Sequence, residues 1–558
     1  GKMNDFEVSD RRHRLSVAEA VGLLILFCTP ALIGMARHPF WIDETLTLLP
    51  VPVKSNSLTD LLREFLHFPG SIRYTPLYVL LVAVWARMVP PVELAIRCIN
   101  IPFLLGSALV SHAFVARLPI RSPGQKWLAL ALIATSPFFV YYSFDLRPYA
   151  SLIFFGGLIV LGLIQCDEMN RSGPWLISLG FCLAFITQPP VVVLAPVIFI
   201  CVLLLARKNL SASIRMWAAP GIVGILLTAA AAIYYYIVRS GGGMEPWGGG
   251  GFSKNVLFIC YEFAGFAGLG PTRAQLRTLA PPAGREATVA SVSLSWPDWI
   301  PAVLFGVVWA VIAIQLIRLV LARGNLRLWL TPCVRWNAMI FTGGLVVLSL
   351  FFYLMQHRFL SRHISFLYLP FIFTLLALFA QTGWDRWNRW AVPLLLIGFS
   401  VSSGQLLFNR GHMREDPKRM IAAWEAARAK DATVRLWAFY PVQSVVYYTN
   451  EGRVPSLRAD TMSICQRVGS VSYAETRPST LDPEVCRNAR VISLDSPGRN
   501  LWQQLLDSCR GQRVILAFNR GTEFDHDDLG RELLADPRAQ SAKVAEGAFV
   551  ECFECTIP

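Results

Sequence analysis

The stretch TPLYVLLVAVWARMVP, residues 75–90, is apolar on most sides but short, and it carries Trp85, Arg87 and flanking prolines. A helix that crosses a bilayer needs about 20 apolar residues. Whether this one crosses or lies along the surface fixes the side of the membrane on which every later segment falls. If it crosses, the basic loops Arg117/Arg121/Lys126, Arg207/Lys208/Arg215, Arg318/Arg323/Arg327/Arg335 and Arg386/Arg389 land opposite the basic N-terminus (Arg11, Arg12, Arg14). If it lies in the interface, all of them share one side. Cytoplasmic loops carry the excess of Lys and Arg, so the sequence predicts an interfacial helix and an odd number of spans.

Around this stretch, apolar runs of helix length occur at 16–36, 94–117, 127–143, 148–166, 174–189, 190–206, 216–238, 299–321, 337–356, 363–381 and 391–408. The expected fold class is therefore a polytopic α-helical membrane protein with about eleven transmembrane helices and additional juxtamembrane helices. Composition agrees: of 558 residues, 54% are hydrophobic and only 16% charged, against about a quarter charged in a soluble chain. The net charge of +14 is spread between apolar blocks and not gathered in one patch. It reads as a topology and lipid-headgroup signal, and no nucleic-acid partner is expected. Gly1-Lys2 ahead of Met3 reads as a tag remnant. The run Val17–Met35 has a basic flank and no small-residue cleavage site, which reads as a retained signal anchor.

Three regions then face the outer side: a loop at 37–93, a Gly-rich loop at 239–298, and everything after about 409. Residues 1–15 form the cytoplasmic N-terminus and 16–408 the membrane unit. The tail is more charged and alternates in pattern. VRLWAF (434–439), RVISLD (490–495) and RVILAF (513–518) read as buried strands, and 416–430 and 498–509 as amphipathic helices. A C-terminal soluble α/β domain at 409–558 follows. Five of the 12 cysteines lie there: Cys465, Cys486, Cys509, Cys552 and Cys555. In an oxidising compartment one or two disulfides are expected among them. Cys552-x-x-Cys555 has no second CxxC and no nearby His, so it is not read as a metal site.

Chemistry-bearing residues gather at the outer level in four clusters. These are Trp41-Ile42-Asp43-Glu44, then Arg73-Tyr74-Thr75-Pro76-Leu77-Tyr78, then SPFFVYYSFDLRPYA (136–150) with Asp145, Arg147 and Tyr149, and finally His357-Arg358-Phe359-Leu360-Ser361-Arg362-His363. Ionisable groups converging from distant segments beside a membrane point to a site. The Gly-rich stretch GGGMEPWGGGGF (241–252) matches no phosphate or nucleotide loop. It reads as a lid with Trp247 available to stack on a ligand, or as a plain linker.

The order of these pieces resembles the GT-C superfamily of membrane glycosyltransferases, in particular the branch of protein O-mannosyltransferases and the lipid A aminoarabinose transferase. The similarity runs from about 36 to 167, returns at 357–370, and extends to REDPKRMIAAWEAARAKDATVRLWAF (414–439). SPFFVYYSFDLRPYA is its most specific part. The resemblance implies a polyprenyl-phosphate-linked sugar as donor, transfer at the outer face with inversion, and a bacterial inner (plasma) membrane location. The acceptor stays open between a glycolipid, a polysaccharide and a protein.

Asp43 matches the first-loop acid and is expected to act as general base. Glu44 is expected either to orient the acceptor or to fix a helix. Arg362 matches the basic residue that binds the donor phosphate, with Arg73, Arg358 and His363 as further candidates. Tyr74, Asp145, Arg147 and Tyr149 are expected to contact or support the acceptor. Two departures stand out. Tyr74-Thr75-Pro76 replaces the usual His-Pro-Pro or Lys-Pro-Pro, and His363 replaces the usual Tyr. Some members use a divalent metal, but Asp43 and Asp145 alone are too few ligands to assign one. The competing classes are a lipid or polysaccharide transporter and a non-catalytic lipid-binding scaffold. Against the first, the ionisable residues gather at one face and no repeated halves occur.

Overall fold

The computed structural model describes residues 15–48, 73–207, 210–238, 251–272, 296–322, 331–355, 360–440, 442–449, 465–468, 471–476, 488–494, 497–519, 524–525, 527–547 and 549–558. The first helix, Val17–Arg37, opens on a reciprocal cap. The Ser16 hydroxyl accepts from the Glu19 N–H (3.2 Å) and the Glu19 carboxylate accepts from the Ser16 N–H (2.9 Å).

Among the described residues nine helices are long and apolar enough to cross a membrane: Val17–Arg37, Glu93–Val115, Tyr149–Asp167, Pro189–Ala206, Ser213–Val238, Pro297–Leu319, Pro332–Leu354, Ser361–Asn388 and Ala391–Phe408. The two other expected spans depart from a continuous crossing. The run 127–143 is broken into Pro123–Thr135 and Pro137–Ser143 by Ser136, whose extended ψ of 129° is what a residue before proline prefers. The run 174–189 forms the helix Ser172–Thr187, 16 residues long. At 1.5 Å per residue this falls short of the hydrocarbon thickness of roughly 30 Å.

The stretch 75–90 forms the helix Pro76–Met88. Its Val79 is fully buried in one apolar cluster with Met420, Trp424 and Leu436 of the tail. The helix therefore lies beneath the C-terminal unit, as an interfacial helix does.

Tyr149–Asp167 is the central helix, with 83% of its apolar window buried. At Gly156 it meets backbone directly: a Cβ there would stand 1.9 Å from the Phe366 carbonyl oxygen. The absence of a side chain at Gly156 thus seats the 3-10 turn Ser361–Leu367 against this helix. At one end of the bundle Arg117 pairs with Glu168 (3.0 Å) and Arg335 with Asp167, which ties the ends of three helices on the side of the basic loops. The opposite end carries residues 38–48, 136–149, 361–367 and the tail.

In the tail, the described residues form one sheet in the order β2-β3-β4-β1-β5-β7-β6. Its strands are β1 Arg435–Phe439, β2 Cys465–Val468, β3 Val471–Thr476, β4 Val491–Leu494, β5 Arg513–Asn519, β6 Ala542–Gly547 and β7 Val550–Thr556. The centre (β3-β4-β1-β5) is parallel and both edges are antiparallel. Alternation along β1 sends Leu436 and Ala438 to the face covered by helix Pro417–Lys430, and Trp437 and Phe439 to the face covered by Trp502 and Leu505. Strand periodicity also separates the CxxC pair. Cys552 packs with the first face and Cys555 with the second, so the two thiols cannot share a metal or a bond. Cys552 and Cys555 are free, so neither of these two forms an expected disulfide. The side chains of Cys465 and Cys486 lie outside the described residues.

Candidate active site

Trp41 caps the short helix Ile42–Thr47, and the Glu44 carboxylate reaches back to accept from the Trp41 N–H (3.1 Å). The same carboxylate accepts from Arg97 Nε (2.9 Å) and Nη2 (2.6 Å) and from the Leu146 N–H (2.6 Å). Arg97 also donates to the carbonyls of Met35 (3.2 Å), Pro39 (3.1 Å) and His38. Both charges are sealed, at 1% and 0% exposure. A buried ion pair holds only when its remaining donors and acceptors are satisfied, and here they are, by backbone from three segments. The pair knots the end of the first span, the Asp43 helix and the 144–147 turn together. Of the two roles left open for Glu44, this geometry matches the fixing of the helix.

Asp43, one residue away, is half-buried. Its carbonyl accepts from the Thr47 hydroxyl (2.7 Å) and from Arg147 Nη1 (3.4 Å), and the same Nη1 donates to Thr47 Oγ1 (3.2 Å). Arg147 also shares a hydrogen bond with Tyr149. His38 stacks against Phe144 (4.6 Å), and burial, with Arg97 next, pushes its pKa down to about 3, so the imidazole is neutral.

The turn that bears Asp145 is fixed by Asn100, whose amide donates to the carbonyls of Ser143 (3.0 Å) and Asp145 (2.6 Å). Asn100 in turn accepts from the Tyr78 hydroxyl (2.7 Å). The Asp145 carboxylate pairs with Arg414 Nη2 at 2.7 Å. Arg414 also donates from Nε to the Tyr141 hydroxyl (2.8 Å) and lies 4.2 Å from the Trp41 ring. Burial works against its charge. Asp145, then Tyr141, Tyr142 and Tyr149, more than offset this and hold its pKa well above the ordinary value.

Arg362 approaches the same Trp41 ring, at 5.6 Å. The preceding Ser361 hydroxyl donates to Glu262, a buried acid that also accepts from Tyr142 (2.9 Å). His363 Nδ1 accepts from the Leu360 N–H (3.3 Å) and so caps its own turn.

Three of the four clusters thus meet at Trp41, and the second joins them through Tyr78 and Asn100. Arg73 and Tyr74 lie against the helix Leu210–Val238. The Arg73 carbonyl accepts from Tyr234 (2.8 Å), and the Tyr74 and Tyr235 rings stack at 6.4 Å. Arg358 and Trp247 lie outside the described residues. Sequence reading missed Arg97, Glu262 and Arg414. The first two are ionisable residues in or beside apolar runs, a signal that was present. Arg414 sits in a charged stretch where one more Arg carries no local signal.

The donor set does not fit a resident metal. Asp145 is matched by the Arg414 guanidinium, Asp43 stands beside Arg147, and no group of three or more His, Cys, Asp or Glu side chains gathers among the described residues.

A helical membrane bundle, an α/β unit packed on one end of it, and a charged aromatic site between them define the class. No family model and no curated protein sequence matches the chain. Solved structures do. ArnT from Cupriavidus metallidurans is similar over 96% of both chains, at 12% identity and a TM-score of 0.48 in the apo state. Bound to undecaprenyl phosphate it is similar at 11% identity and 0.49 over the same shares. The archaeal oligosaccharyltransferase AglB from Archaeoglobus fulgidus, in complex with an inhibitory peptide and a dolichol-phosphate, is similar over 97% of this chain and 75% of its own, at 13% identity and 0.36. At such identity the likeness concerns the course of the chain, and the reaction has to be argued from the residues.

Proposed function

We propose that this protein transfers a sugar from a polyprenyl-phosphate donor to an acceptor at the extracytoplasmic face of a bacterial inner membrane, with inversion. In this reading 16–408 is the catalytic membrane unit and 409–558 the outer unit. The acceptor oxygen attacks the anomeric carbon and its proton passes to the Asp43 carboxylate. The bond from that carbon to the phosphate oxygen breaks, and its electron pair leaves with the polyprenyl phosphate. Arg362 meets the charge that develops on the leaving oxygen.

One observation carries this reading. Asp43 and Arg362 are presented around the same Trp41 segment, and Asp43 is half-buried while Glu44, Asp145 and Glu262 are 0%, 2% and 2% exposed. A base must be reachable by its acceptor, and Asp43 is the reachable acid of the group. The motif resemblance of SPFFVYYSFDLRPYA supports the donor class. An open apolar groove of about 470 Å3, lined by Leu257, Tyr261, Phe266 and Trp309, runs along the helix that carries Glu262 and suits an isoprenoid chain.

The test incubates the purified protein with a panel of polyprenyl-phosphate sugars and envelope acceptors, followed by mass spectrometry. Sugar-dependent release of polyprenyl phosphate by wild type and not by Asp43→Asn is expected. Equal release by both would remove Asp43 from its role, and inert wild-type protein across the panel would remove the reaction class.

A further inference from the structure

Arg414 is held by more cationic chemistry than a partner for Asp145 requires. The residue is 8% exposed, and its guanidinium sits on the Trp41 ring beside Arg362. Among the described residues only Nε has an aligned acceptor, Tyr141; Nη2 touches Asp145 at 2.7 Å but off the line of a hydrogen bond, and neither Nη1 nor Nη2 finds a hydrogen-bond acceptor there. Among the same residues Arg362 Nε and Trp41 Nε1 are likewise buried without an acceptor.

Buried donors without acceptors are costly. Natural cores leave few of them, and here they cluster at one ring. Among the described residues two guanidiniums reach the Trp41 ring, and Asp145 pairs with one of them. A group with several anionic oxygens would meet the orphaned donors together.

We infer that Arg414, contributed by the segment after the last span, is the second arm of a phosphate clamp whose first arm is Arg362, with Asp145 holding Arg414 in place until the phosphate arrives. The inference rests on the donor class proposed above and adds to it a binding residue outside the membrane helices. The outer unit then supplies part of the substrate site itself.

The test uses the full chain in nanodiscs, with farnesyl phosphate and farnesol as probes. Wild type is expected to bind the phosphate more tightly than the alcohol. Arg414→Gln is expected to weaken farnesyl phosphate by about tenfold or more and to leave farnesol unchanged. If Arg414 served only to neutralise Asp145, removing both charges would restore binding, so the double variant Arg414→Gln/Asp145→Asn separates the two roles. It is expected to stay weak for farnesyl phosphate, and recovery of wild-type affinity would overturn the clamp. Should Arg414→Gln fail to fold, Arg414→Lys keeps the charge and loses the planar fork. A loss of several-fold for the phosphate alone is then expected, and an unchanged affinity overturns the inference. Phosphate binding lost in Arg362→Gln but kept in Arg414→Gln would remove only this inference. A wild-type protein that does not distinguish phosphate from alcohol would remove the donor class as well.

Discussion

Asp43 and Glu44 occupy one turn of helix and meet opposite surroundings. Glu44 is closed in by Arg97, the Leu146 N–H and the Trp41 N–H, while Asp43 stays within reach of a ligand. Their substitutions should therefore separate. Asp43→Asn keeps volume and polarity, so the chain should fold and bind donor normally while turnover falls by about 10²–10⁴, the usual share of general-base catalysis. Turnover measured beside donor binding checks this. Glu44→Ala leaves the Arg97 guanidinium buried and unpaired, which costs about 3–5 kcal/mol. A large fall in thermal unfolding temperature, with loss of turnover, is expected. An unshifted melt would show that the pair carries no structure. Neither contrast is legible in the letters DE. It comes from Arg97, which reads in sequence as one basic residue in an apolar run.

At the scale of elements, the placement of Arg362 depends on how closely two backbones approach. Gly156 lets the turn Ser361–Leu367 lie on the central helix, and any side chain there meets the Phe366 carbonyl. A carbonyl held within a turn cannot swing aside as a flexible side chain can. Gly156→Ala should cost about 1–3 kcal/mol, as overpacking does, and weaken binding of the donor phosphate by displacing Arg362. Thermal unfolding and farnesyl phosphate titration together check it, and wild-type values in both would count against this account of the turn. Elements with a one-signal pattern were legible in the sequence. The helix 76–88 followed from the side on which the basic loops must fall. Strands β1, β4 and β5 followed from short runs buried on both faces. The edge strand β6, AKVAEG, is mostly exposed and lacks an apolar pattern, so it gave no signal. The break at Ser136-Pro137 was written in the proline, but the apolar run around it masked the stop.

For the molecule as a whole, stability should carry a pH term from the outer unit. The Asp525 carboxylate is buried and caps the helix Leu529–Ala535 by accepting from the N–H groups of Leu529 (2.8 Å) and Gly530 (3.0 Å). Burial outweighs these bonds and lifts its pKa to about 6. The folded protein then holds this proton more tightly than the unfolded chain, whose carboxyl titrates near 3.9. The contribution of Asp525 to stability is full at low pH, falls as pH rises towards about 6 and is flat above. Asp525→Asn does not titrate, so its stability relative to wild type should be greater at pH 7 than at pH 4.5 in chemical denaturation. A difference independent of pH would show that the carboxyl is not perturbed. What no reading of one sequence supplies is the long-range join. Arg414 at Trp41, the Thr45–Ser444 hydroxyl contact (3.0 Å) and the Tyr448 hydroxyl on the Phe40 N–H (2.6 Å) link residues about 400 apart. Nothing local in either partner announces the other.

That join sets an order of events in biogenesis. The segment Phe40–Thr47 is synthesised about 400 residues before the helix Val442–Thr449 that packs on it. At roughly 5–20 residues per second of synthesis, the loop bearing Asp43 waits tens of seconds before its cover is made. Through that interval the Phe40 N–H lacks its Tyr448 acceptor and Trp41 lacks Arg414. On the proposed function, activity is then expected to require the chain through about residue 449, and a copy cut short before it is expected to leave a lipid-linked donor untouched.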